Sequence, residues 1–118
     1  MKGKTPTKAQ SDYHDQIAQL GCIACKKDGR FNPVVSIHHC DGRTKPDAHW
    51  LVLPLCAGHH QHGTGAPGLT GIHPFKARFE LAYGRQETLI RDCAMQLLDM
   101  GLAVPARVME LIGLEQAA

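Results

Sequence analysis

The sequence predicts a small α+β fold whose C-terminal third is mostly helical, and three observations predict it. VVSIH and LVLPL are short apolar runs of strand length. Leu89, Ile90, Cys93, Leu97 and Leu98 recur at helical spacing. Glycine and proline punctuate the segments between them. A chain of 118 residues is one domain, 1–118, and its composition, 43% hydrophobic but only 5% aromatic, makes a core of aliphatics. Such a domain often needs a staple.

In chain order, residues 1–8 form a cationic, flexible arm carrying Lys2, Lys4 and Lys8, read as a solvated tail or a phosphate-binding one. Thr5 can cap a helix over 6–20 with Pro6 in its first position, and Gly21 ends it. GCIAC is a cysteine knuckle and KKDGR a turn. VVSIH is a strand to His38, DGRTKPDAH a loop, and LVLPL a strand whose Pro54 marks an edge or an end. Residues 56–62 open a helix that the glycine-rich GTGAPGLTG interrupts. Pro74 starts a helix to Tyr83, a further helix spans 86–100, and PARVMELIG makes a last one. The C-terminal helices, 86–113, read as scaffold.

No apolar run approaches membrane-spanning length, and the polar start MKGKTPTK is not a secretory signal, so a cytoplasmic location without a membrane partner is expected. In that compartment the five cysteines should be reduced, which favours metal ligation over disulfides. The net charge of +2 does not by itself point to nucleic acid. Through Lys45, however, eight basic residues face four acids.

Cys22 and Cys25, and Cys56 and His59, are two half-sites of the kind that close a tetrahedral zinc site, since a two-residue gap lets both side chains of each half converge on one ion. The bland alternative is that the cysteines are small core residues. Four protein ligands make a closed, structural Zn2+ site that stabilises a small domain. Cys40 and Cys93 lack partners at ligand spacing and read as packing. Asp41 either turns toward the site or makes a turn with Gly42. His14 reads as a solvated surface residue, the only histidine outside 38–73.

His59 and His60 are about 100° apart on a helix, so His60 is free to serve a second centre. His38 and His39 are strand neighbours and face opposite sides. A histidine pair, a loop, a second strand and a helix histidine form the pattern of the ββα-metal, or HNH, endonucleases. The runs SIHHCDGRTKP, LVLPLCAGHHQHGTGAPGL and IHPFKARFELAYG, in that order, resemble the phage Ref family, the recombination-enhancement, RecA-dependent nucleases of the HNH superfamily. The resemblance spans roughly residues 21–85 and implies a zinc-stapled ββα-metal core over 21–83.

It implies His39 as general base and His38 and His60 as ligands of a catalytic Mg2+, Mn2+ or Zn2+ ion. His73 is a third ligand or a phosphate contact. The usual middle asparagine is not visible. Among His49, Trp50 and Leu51, His49 is the residue able to orient His39, completing the catalytic pair. Arg43, Lys45, Lys76 and Arg78 lie near the motif and could bind DNA phosphates; a solvated helix face is the alternative for the last two. The implied function is a metal-dependent DNA endonuclease of phage or prophage origin, acting with a RecA filament in the bacterial cytoplasm. The alternatives are a non-catalytic zinc-binding docking module and a RecA-independent nicking enzyme.

Overall fold

The computed structural model describes residues 4–65 and 67–114. Among them the elements run α1 (Lys8–Gln19), α2 (Ile23–Lys27), β1 (Ser36–His39), β2 (Val52–Leu55), α3 (Ala57–His60), α4 (Lys76–Tyr83), α5 (Gln86–Asp99) and α6 (Ala106–Leu111). This is an α+β arrangement with helices alone beyond β2. Residues 1–3 of the expected arm, Lys2 included, lie outside the described residues.

Several boundaries move from the sequence expectation, each for a local reason. Helix α1 is capped by Thr7, not Thr5: the Thr7 hydroxyl accepts from the Gln10 N–H while the Gln10 side chain accepts from the Thr7 N–H. This reciprocal capping box satisfies two donors that the expected cap would leave open. Lys8 therefore belongs to α1, paired with Asp12 at 3.0 Å, rather than to an arm. The knuckle folds as the short helix α2, capped by the Cys22 sulfur, which accepts from the Cys25 N–H. Val34, exposed, precedes β1, which runs through His39 instead of stopping at His38. The helix expected over 56–62 is one turn long, and the helix expected from Pro74 begins at Lys76.

Strands β1 and β2 pair antiparallel with His38 opposite Leu53 and His39 opposite Val52. A two-stranded sheet has only edges, which is why Pro54, lacking an N–H, is tolerated in β2. All four β2 residues are buried, whereas β1 keeps only His38 fully inside. The core beneath gathers Tyr13 and Ile17 from α1, β2, Phe79 from α4, and Leu89, Cys93 and Leu97 from α5. Cys93 is completely buried there, in keeping with a packing role.

After α3 the chain loops out and returns along the helix end. Ile72 N–H donates to the His59 carbonyl at 2.8 Å and His73 N–H to the His60 carbonyl at 3.1 Å. These returning amides satisfy carbonyls that a one-turn helix leaves open. Gly71 makes the approach possible, because a Cβ there would lie 2.1 Å from the His62 nitrogen. His73 is thereby set beside His60.

Candidate metal centres and a histidine pair

The α2 turn and the α3 turn bring Cys22, Cys25, Cys56 and His59 together, all buried. Cys25 Sγ and Cys56 Sγ are 3.8 Å apart, and His59 Nδ1 lies 3.4, 3.5 and 3.3 Å from the sulfurs of Cys22, Cys25 and Cys56. Tetrahedral zinc with its usual bond lengths requires edges of about 3.8 Å between sulfurs and about 3.6 Å between sulfur and nitrogen. The donor set fits that ion. Burial pushes the Cys22 thiol up and the His59 imidazole down from their usual ranges, so these two groups favour their neutral forms. A cation supplies the charge that stabilises thiolates.

The far side of His59 is also organised. Its Nε2–H donates to Tyr83 Oη at 3.0 Å, and the Tyr83 hydroxyl donates to Asp28 at 2.8 Å. That chain holds the His59 tautomer with a bare Nδ1 facing the sulfurs. Tyr83 and Asp28 carry no motif, and sequence reasoning passed over both.

His60, next on α3, turns to β1. One ring nitrogen each from His38, His60 and His73 lies within 4.8 Å of the other two. The ring centroids are 5.1 to 5.4 Å apart. His38 is buried, His60 half-buried and His73 exposed, so the group opens to solvent on the His73 side. His38 Nε2–H donates to Gln86 Oε1 at 2.9 Å, leaving Nδ1 for a ligand. Ser36 Oγ lies 2.9 Å from His60 Nδ1 and also within reach of the Leu55 carbonyl, to which its hydroxyl donates. The Ser36 oxygen thus accepts from His60 Nδ1–H, leaving His60 Nε2 bare. Burial, opposed by the Gln86 bond and reinforced by His60, His73 and Lys76, pushes His38 down to about 4. Burial and then His73 lower His60 as well. Neutral imidazoles with the outer nitrogen engaged are what a divalent ion requires of histidine ligands.

Gln86 corrects the expectation that the C-terminal helices are scaffold only: it is buried at the start of α5 and reaches the site across the core. From α6, Arg107 also grips Asp47 in the loop before His49, at 2.8 and 3.0 Å.

On the opposite face of β1, His39 Nε2 lies 3.0 Å from His49 Nδ1. His49 Nε2 bonds the Lys4 carbonyl, and a carbonyl only accepts. Neutral His49 therefore carries its proton on Nε2 and accepts at Nδ1; His39 in turn carries its proton on Nε2 and presents a bare Nδ1. Burial, with His49 and Arg43 next, pushes His39 down to about 4, keeping that lone pair available at neutral pH. The Lys4 link also docks the part of the expected flexible arm that is described, supported by Lys4 N–H donating to the Arg43 carbonyl at 3.2 Å.

His14 is not the solvated residue the sequence suggested. It is half-buried against His39 and His49, and its Nε2–H donates to the His49 carbonyl at 2.7 Å. Its spacing from the buried Gln10 and Ile17 placed it near the inward stripe of α1, a signal available in the sequence.

The remaining residues singled out by sequence divide plainly. Asp41 pairs with Lys45 at 3.1 Å, both exposed, and takes the turn role. Arg43 is exposed beside His39, and Lys76 is exposed near His38. Arg78 sits over the Phe75 ring at 4.7 Å and borders a cleft of about 510 Å³ walled by His62 and the glycine-rich loop. His62 packs edge-on against Phe75 at 4.6 Å and joins no histidine cluster among the described residues. No helix among the described residues is long and apolar enough to cross a membrane.

Residues 6–98 match the family described as recombination enhancement, RecA-dependent nuclease. The matched span takes in the cysteine quartet, the His38 triad and the cluster of His14, His39 and His49.

Proposed function

The chain belongs to the recombination enhancement, RecA-dependent nuclease family, and on that footing we propose that it is an HNH-type endonuclease, a single domain over 1–118 that hydrolyses DNA phosphodiester bonds. The observation that carries the reading is the division of labour across β1, where His38 joins a metal-competent triad on one face and His39 an oriented imidazole pair on the other. In this reading β1, β2 and α3 form the ββα-metal core, stapled by zinc on Cys22, Cys25, Cys56 and His59.

Phosphodiester hydrolysis needs water made nucleophilic, phosphoryl charge neutralised and the leaving 3′ oxygen assisted. His39 takes the proton of the attacking water at Nδ1. His49 positions it: with Nε2–H tied to the Lys4 carbonyl, it can only accept from His39 Nε2–H, which fixes the ring and its tautomer. His38, His60 and His73 would hold the catalytic ion, and an all-nitrogen set suits zinc or manganese better than magnesium. Such an ion, when bound, neutralises charge on the phosphoryl oxygens and assists the leaving oxygen. Gln86 and Ser36 keep the ligand nitrogens of His38 and His60 aimed inward. Arg43, Lys45, Lys76 and Arg78 bind DNA phosphates around this centre, Lys45 after release from Asp41. The partner is a RecA filament on DNA, and the site of action is the cytoplasm of a bacterial host carrying the phage or prophage.

Nicking of supercoiled plasmid with Mn2+, Zn2+ or Mg2+, with and without RecA, tests this. His60→Ala should lose cleavage and the catalytic ion while retaining the zinc of the cysteine quartet. A wild-type protein that never nicks under any of these conditions leaves a zinc-binding docking module as the better account, and cutting that is indifferent to RecA leaves a RecA-independent nicking enzyme.

A further inference from the structure

We propose that His14, His39 and His49 form a third metal site, one that takes zinc when zinc is in excess and silences His39; the inhibitory half of this rests on His39 being the base. The geometry is that of a ligand set. One ring nitrogen from each residue lies within 4.8 Å of the other two, as in the His38 triad. The ring centroids stand 5.0, 5.7 and 5.8 Å apart, close to the 5.1 to 5.4 Å of that triad. His49 would ligate through Nδ1 while its Nε2–H stays on the Lys4 carbonyl, the outward bond that metal-bound imidazoles ordinarily make. His14 and His39 are only half-buried, so an ion has access. Three neutral nitrogens with no carboxylate among them favour zinc over magnesium or calcium.

The two triads differ in the resting state of their inner nitrogens. Those of His38 and His60 are bare, because Gln86 and Ser36 hold the outer ones. Between His39 and His49 a hydrogen bond already spans the gap at 3.0 Å. An ion must displace the proton on His39 Nε2, and a neutral imidazole has one proton to place. That proton moves through solvent to Nδ1, so no net proton is released. Nδ1 is the atom that accepts from the attacking water, and with a proton there it cannot. The third site would therefore fill last and act as a brake.

The test is a zinc titration of the purified holoprotein, read by equilibrium dialysis with elemental analysis and in parallel by DNA cleavage. Wild type should bind three equivalents, the third removed first by a mild chelator, and cleavage should fall as the third loads. His14→Gln keeps a donor for the His49 carbonyl but removes a ligand. It should bind two equivalents, cleave like wild type at low zinc, and need at least about 10-fold more zinc for half-inhibition, since losing even a supporting hydrogen bond to a ligand costs about 10–100-fold in affinity. His14→Ala serves as the second variant, with circular dichroism to verify its fold. A third equivalent that survives in both variants overturns the site. Equal zinc inhibition of wild type and variants overturns the brake. If wild type never cleaves, the nuclease reading fails, while loss of the third equivalent in His14→Gln still supports the site.

Discussion

The cysteine quartet and the His38 triad share the single turn of α3, with His59 serving one and His60 the other, yet they are built in opposite senses. The quartet is buried at every position, whereas the triad runs from buried His38 to exposed His73. A set of four protein donors sealed from solvent has no place for a substrate; a set of three with one open side does. Adjacent residues thus enter different surroundings because helix geometry turns them apart. The hydrogen-bonded supports differ as well: Tyr83 and Asp28 lock the quartet's histidine, while Gln86 and Ser36, from α5 and β1, aim the triad.

Perturbing each region should separate them. Cys25→Ser strikes hardest: it leaves a three-ligand remnant in the middle of the core, and the protein should lose its zinc and much of its cooperative thermal transition, as read by elemental analysis and circular dichroism. Gln86→Leu comes next. It removes the acceptor that holds His38 Nε2–H, and catalytic-ion affinity should fall about 10–100-fold by calorimetry while the quartet zinc remains. If Gln86→Leu instead releases the quartet zinc, the two regions are not independent.

Tyr83→Phe is milder, deleting the hydroxyl between His59 and Asp28. It should cost about 1 kcal/mol, a melting shift on the order of 4 °C, with cleavage unchanged. Lys76→Ala should do least. Its effect belongs in the salt dependence of DNA binding, where the slope of log affinity against log salt should shrink by about 0.9 if the side chain meets one phosphate. An unchanged slope assigns Lys76 to the solvated face of α4.

What the sequence made legible follows from spacing. Two-residue gaps in C-x-x-C and C-x-x-H dictate convergence within a turn, and neighbouring histidines on a strand must diverge, so the quartet, the opposed His38 and His39, and the His59–His60 split were all legible from spacing alone. The supports could not. Gln86 meets His38 across 48 positions, and Tyr83 meets His59 across 24. Each depends on where α4 and α5 pack in the folded domain, which no local pattern encodes. His14 differs: its spacing from Gln10 and Ile17 already put it near the inward stripe of α1, and only the surface it meets, 35 positions away at His49, was out of reach of local pattern. The boundary shifts at α1 and α4 belong to another class, in which side-chain capping and the returning loop outcompete the proline signals.

The opposition of the two faces of β1 is most directly measured on a RecA-formed displacement loop, by comparing wild type with His39→Ala for cleavage and for catalytic-ion binding on the same preparation. Cleavage should fall about 10²-fold or more, the usual contribution of a positioned general base, while ion affinity and quartet zinc stay at wild-type values. Wild-type cleavage by His39→Ala, or loss of the ion along with activity, would contradict the division between a face that holds the ion and a face that moves the proton.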